Sequence, residues 1–265
     1  MTIKKLLVAT DLSDASYRAL QCAAIHAKKF QSEIILLHIF EVADVDDSAK
    51  RMMASSFLNR DIKRQLQEMV EEVIKNEGVK ATYLTKEGEL FDAMCEAARE
   101  TQADMLYVGT HGVHGVQHLT GSFIAKTVNT NKVPVWIIQK DTALQAYKNL
   151  VVYIDEYPEN PLNEITLDFA KHFETKVHFV FSEPENAFRV TDMIQKVKTS
   201  LDALNISYEF VFMADEPDKQ KALIDYAQSK EAPLLIIDRN NREVDMQVPL
   251  LTNKFHIEVL CLNTA

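Results

Sequence analysis

Runs of apolar residues with strand character recur along the chain at Ile3–Thr10, Glu33–Phe40, Met105–Gly109 and Val133–Gln139. The segments between most of them carry the helical spacing of three and four. Ser13 reads as a helix N-cap, and Tyr17, Leu20, Ala24 and Ala27 follow on one face. A second stripe of Leu58, Ile62, Leu66, Met69 and Val73 stops at Gly78, and a third uses Leu90, Met94 and Ala97. The polar stretch Asp44–Ser56 predicts a loop leading into the second helix. Strands alternating with helices in this way specify a parallel sheet covered by helices.

The pattern then restarts. Leu150–Asp155 matches Leu6–Asp11, a helix with Leu162, Ile165, Phe169 and Phe173 follows, and Lys176–Phe181 repeats the second strand. Ala232–Asp238 stands where Ala103–Gly109 stood, and Ile257–Leu262 closes the second half as Val135–Gln139 closes the first. This predicts an internal duplication, with domains at 1–140 and 148–265 and a short linker from Lys140 to Lys148.

Composition narrows the function classes. The 265 residues, 47% of them hydrophobic, suffice for two cores. A net charge of −10 opposes nucleic-acid binding, because phosphate backbones are held by cationic surfaces. Residues 1–140 carry 17 Lys and Arg against 18 Asp and Glu, and the remainder 12 against 21, so the acidity sits in the second half. The apolar run at the N-terminus is too short for a signal peptide, and no stretch approaches a membrane span, which predicts a cytoplasmic protein with no membrane partner. Cys22, Cys95 and Cys261 form no Cys-x-x-Cys pair and read as buried thiols.

The segment with most chemical content is Gly109-Thr-His111-Gly112-Val-His-Gly115-Val-Gln-His-Leu-Thr-Gly121-Ser122-Phe123, placed between a strand and a helix over Phe123–Val128. Glycines let backbone approach a ligand closely, and a helix start offers free N–H groups, so the segment suits an anion. A Gly-rich turn with Ser122 as an ordinary cap fits the spacing equally well. His111, His114 and His118 suggest a metal only if the segment is helical, and Gly112 and Gly115 argue against that.

Ala9-Thr-Asp11-Leu-Ser13, the Gly109-x2-Gly112 and Gly121-Ser122 pairs and the closing Pro134-Val-Trp-Ile-Ile resemble the universal stress protein family, in two tandem copies. The resemblance implies an α/β fold of two tandem open parallel five-stranded sheets with helices on both faces, adenine nucleotide alpha hydrolase-like and Rossmann-like. It also implies a stress-response protein that binds ATP, ADP or AMP, with or without Mg2+, at the carboxyl ends of the strands. Carried over by position, Asp11 lies on the ribose and adenine side and Ile39 near the base; the competing readings are a helix-start acid favoured by the dipole for Asp11 and core packing for Ile39. Gly109, His111, Gly112, Gly121, Ser122 and the backbone of Phe123 fall around the phosphates. Eight residues separate Gly112 from Gly121 where the family's ATP-binding pattern has nine. The alternative is therefore an interaction scaffold with a vestigial loop. No general base or arginine finger is visible, so the expected activity is at most a slow ATPase.

In the second half Asp155 takes the place of Asp11, but Asp238-Arg-Asn-Asn241 replaces the glycine segment, which predicts no nucleotide there. The expected partner of that half is the first half itself, with Val133–Gln139 beside Ile257–Leu262. A homodimer of tandems is left open.

Overall fold

A computed structural model describes residues 3–40, 48–110, 121–139, 146–154, 162–182, 187–213, 218–238 and 257–262. In chain order the elements are β1 (Lys5–Ala9), α1 (Asp14–Phe30), β2 (Glu33–Phe40), α2 (Ser48–Glu77), β3 (Ala81–Glu87), α3 (Leu90–Thr101), β4 (Met105–Thr110), α4 (Gly121–Thr130) and β5 (Val135–Gln139). They continue as β6 (Asn149–Ile154), α5 (Glu164–Phe173), β7 (Lys176–Ser182), α6 (Ala187–Ala203), β8 (Tyr208–Met213), α7 (Lys219–Ser229), β9 (Leu234–Asp238) and β10 (Glu258–Leu262).

The strands form one open ten-stranded sheet in the order β3-β2-β1-β4-β5-β10-β9-β6-β7-β8. Within each half every pairing is parallel, as strand–helix–strand crossovers require, and the order in one half mirrors that in the other. The halves meet through the antiparallel pair β5–β10, with Trp136 opposite Leu260. Two apolar layers cover the sheet, and each runs through both halves. One is built on α1, α2, α5 and α6, the other on α3, α4 and α7.

Two of the strands are edges that apolar runs alone do not reveal. β3 and β8 lie at the ends of the sheet and are largely half-buried, so Lys86, Glu87 and Glu209 are tolerated among their apolar positions. The helices begin and end where local chemistry dictates. Ser13 caps α1 by accepting from the Ser16 amide, and the second helix stops at Gly78, whose φ of 69° favours glycine. One expectation is corrected: Ser48–Ser56, read as part of a loop, is the start of α2. Among the cysteines, Cys22 and Cys261 are buried as expected, while Cys95 is partly exposed and donates to the Thr130 carbonyl at 3.4 Å.

The halves correspond residue by residue. The registers align Leu6 with Leu150, Tyr107 with Ile236, and Trp136 with Leu260. Ser32 follows the left-handed C-cap Gln31 and donates its hydroxyl to the Ile3 carbonyl at 2.6 Å; Thr175 follows Glu174 and donates to the Tyr147 carbonyl at 2.6 Å. His26 and Phe169 are therefore equivalents, and they touch edge to face at 5.6 Å. So are Phe30 and Phe173, whose rings meet at 5.8 Å. Equivalent residues meeting one another define an approximate twofold axis through the β5–β10 seam.

Around that axis lies a buried cluster. Trp136 stacks on Tyr107 at 5.5 Å, and Phe169 stacks on Phe173 at 4.3 Å. Within it, His26 bonds Tyr107 through Nδ1 at 2.8 Å and Tyr147 through Nε2 at 3.0 Å, and Tyr147 donates to the Glu258 carboxyl at 2.8 Å. Burial pushes the His26 pKa down to about 3, so the ring is neutral.

The close packing of α1 on β4 is set by Gly109. A Cβ there would stand 2.4 Å from the Ala15 carbonyl oxygen and 2.7 Å from the Ser16 amide nitrogen, both backbone atoms that cannot swing away. Gly109→Ala should therefore cost more than the ~1–3 kcal/mol of an ordinary overpacking change. Phe169→Ala, which empties the seam without touching the sheet, should cost ~3–5 kcal/mol. Urea denaturation followed by circular dichroism checks both values.

Candidate functional site

The carboxyl ends of β2, β1 and β4 lie side by side, and the chain turns into α1 and toward α4 from the last two. Thr10, just past β1, keeps the ladder going by donating its amide to the Leu37 carbonyl at 2.8 Å. The chain then bends at Leu12, which holds a left-handed φ of 64°. Side chains stabilise this bend. The Thr10 hydroxyl accepts from the Leu12 amide at 3.0 Å, and the Asp11 carboxylate accepts from the Ser13 amide at 3.0 Å. Ser16 donates its hydroxyl to the Ser13 carbonyl at 3.0 Å, so Thr10 is the donor in the 3.0 Å contact between the Thr10 and Ser16 hydroxyls.

These bonds fix Asp11 with an exposed carboxylate at the start of α1, where the helix dipole favours negative charge. Ile39 lies on the adjoining β2 opposite Lys86 and is partly buried against the α3 and α4 layer. Gly109 lies on the other side, in β4 opposite Ile138. The strand registers thus bring Asp11, Ile39 and Gly109 to one end of three adjacent strands. Gly109 has a packing reason to be glycine, which is the approach of α1 described above.

The remaining expected residues are only partly located. His111 and Gly112, with His114 and His118, lie outside the described residues. Gly121, Ser122 and Phe123 open α4, which starts two residues earlier than the spacing predicts, so Ser122 lies in the first turn rather than at the cap. Asp155 of the second half also lies outside the described residues, whereas Asp238 ends β9 and is half-buried.

Two polar groups at this edge escape the sequence reading. His38 donates Nδ1–H to the Thr10 carbonyl at 2.9 Å and packs edge-on against Phe40 at 4.8 Å. Burial lowers its pKa, against the opposing pull of the Thr10 carbonyl and the Asp11 charge. The ring is thus neutral, with Nε2 left as an acceptor. Its only signal in the sequence is a single imidazole inside the apolar run Glu33–Phe40. Gln139, ending β5 opposite Thr110, has a buried Nε2 with no hydrogen-bond partner among the described residues. An unsatisfied buried amide donor at the strand ends suits an anionic group.

The flank toward α2 is unlike this. A groove of about 310 Å³ there is lined by Leu12, Asp14, Tyr17, Glu68, Met69 and Glu72 among others, and the Tyr17 hydroxyl donates to Glu72 at 2.5 Å. Three carboxylates make that side repel phosphate, so an anion at the strand ends would lie toward β4 and β5. Among the described residues no helix is long and apolar enough to cross a membrane.

Known proteins match on both sequence and fold. The profile of the Universal stress protein family matches residues 2–139. A universal stress protein of Bacillus subtilis, YxiE, is 28% identical over 145 residues, which are 51% of this chain and 98% of that protein. One from Methanocaldococcus jannaschii is 26% identical over 141 residues, 52% of this chain and 82% of its own length. The crystal structure of a universal stress protein from Archaeoglobus fulgidus superposes with a TM-score of 0.77 at 15% identity, covering 100% of this chain and 97% of that one. With a family profile spanning more than half its length and a fold shared end to end with a solved relative, the chain belongs to the universal stress protein family.

Proposed function

We propose that the first half binds an adenine nucleotide at the carboxyl ends of β2, β1 and β4 and acts through the bound state rather than through rapid turnover. The observation that carries this reading is the convergence of Asp11, Ile39 and Gly109 at one end of three adjacent strands, where the glycine segment leaves β4 for α4. Asp11 would take the ribose hydroxyls, because an exposed carboxylate accepts from a diol and repels phosphate. Ile39 would pack on the base. Gly109, Gly112 and Gly121, with His111, Ser122 and the Phe123 amide, would surround the phosphates, where α4 presents its positive end. The unsatisfied Gln139 amide fits an anion on the same side. ATP, ADP and AMP all satisfy this chemistry, and Mg2+ would accompany the longer ones.

In this proposal residues 1–140 are the nucleotide domain and residues 148–265 a degenerate copy that supports it, in a cytoplasmic stress-response protein. The shorter spacing from Gly112 to Gly121 favours a second reading, a scaffold whose loop no longer grips phosphate.

Thermal unfolding separates the two. Millimolar ATP with Mg2+ should raise the midpoint of the native protein, by a stabilisation of ~2.7 kcal/mol if the ligand stands a hundredfold above its dissociation constant. Asp11→Ala and Gly121→Val should each remove most of that gain while leaving the ligand-free midpoint within a few degrees. No gain with any adenine nucleotide in the native protein selects the scaffold.

A further inference from the structure

Glu258 on β10 is fully buried where the two halves join. Its Oε2 accepts from Trp136 Nε1 at 2.9 Å and from the Tyr147 hydroxyl at 2.8 Å, with the Cys22 thiol at 3.9 Å. Its Oε1 is buried with no hydrogen-bond partner among the described residues. The groups facing it come from every packed element. From α1 these are Cys22, the neutral His26 and, at longer range, Arg18; from β4 it is Tyr107; from the segment before β6 it is Tyr147; β5 supplies the Trp136 indole. α5 contributes the apolar Phe169 ring to the same cluster.

Among the described residues no cation forms an ion pair with the carboxyl, and Arg18 acts on it only at longer range. Three donors on one oxygen favour the anion, while loss of water and an orphaned second oxygen disfavour it. A buried carboxylate without a paired cation is costly enough for protonation to compete. We propose that Glu258 is a proton-linked latch, in which the protonated carboxyl holds the β5–β10 seam closed and its ionisation loosens the contact between the halves.

The balance of causes agrees. Burial, the largest, raises the Glu258 pKa from 4.5 to about 7, against the Tyr147 and Trp136 hydrogen bonds. Because the folded state holds its proton more tightly than the unfolded chain, the stabilisation is complete below pH 4.5. It is lost progressively as the pH rises to about 7, and is constant above that. Other shifted groups act elsewhere or in the opposite sense. Glu209, held down to about 2 by Lys176 and Lys230, loses its contribution as the pH falls from 4.5 toward 2, below the range over which Glu258 ionises. His38 and His178, lowered by burial, favour the folded state as the pH rises. A difference against a Glu258 variant therefore isolates the latch.

The protein carries its own reporter. Trp136 is the only tryptophan in the chain, and its indole N–H is bonded to this carboxyl. Tryptophan emission of the folded protein, titrated from about pH 5.5 to about pH 8.5, should step with a midpoint near 7. The step should be absent in Glu258→Gln and should move to higher pH in Tyr147→Phe, which removes a donor to the anion. Over the same range the urea midpoint of the native protein should fall relative to that of Glu258→Gln. A flat titration in the native protein, a step that persists in Glu258→Gln, or one that Tyr147→Phe leaves unmoved overturns the proposal. If Glu258→Gln does not fold, infrared difference spectra of the native protein decide. A protonated-carboxyl band lost across this range supports the latch, and its absence overturns it.

Discussion

The antiparallel pairing of β5 with β10 is the contact on which the rest of the molecule depends. Each half alone would be a five-stranded parallel sheet ending in an unpaired fifth strand, rich in Val, Ile and Leu and open to pairing with any other chain. Joining those two strands removes both hazards at once and makes the apolar layers continuous from one half to the other. The exposed edges that remain are β3 and β8, and these carry lysine and glutamate on their strands.

The seam is symmetric in its backbone and asymmetric in its chemistry. Tyr107, His26 and Tyr147 form a hydrogen-bonded chain that ends on Glu258. The equivalents of its first three members, Ile236, Phe169 and Ile3, are apolar. One side of the axis is thus apolar at these three positions, while the other is a polar network in which one oxygen lacks a partner among the described residues. Networks of this kind fix a single arrangement of the groups they join, because each donor has one acceptor within reach.

Much of the fold is legible in the sequence because burial leaves a strong imprint on central elements. β2 spans the whole of its apolar run, and the Ser13 cap and the Gly78 stop mark their helices because both rest on local chemistry. β3 and β8 are not legible in this way, since a strand with one free edge need not be continuously apolar. The site divides similarly. Asp11, Ile39 and Gly109 are named as candidates by the family resemblance and fall at the ends of adjacent strands, whereas the role of Gly109 in seating α1 requires knowing what stands 2.4 Å away. The Glu258 cluster draws on residues up to 236 positions apart, so no local pattern reveals it. Its one trace is an acid within the otherwise apolar run Ile257–Leu262.

The approximate twofold axis has an evolutionary reach beyond packing. In an assembly of two identical chains, every substitution at an axis appears twice and faces its own copy. A carboxyl such as Glu258 would arrive as a pair, two like charges brought near one another in an apolar setting. Covalent linkage breaks that rule: one half can carry a charge or an imidazole where the other has a bare ring. The partner also stays present at a concentration set by the tether rather than by expression. Tandem fusion thus frees the two copies to specialise in different directions without ever risking separation.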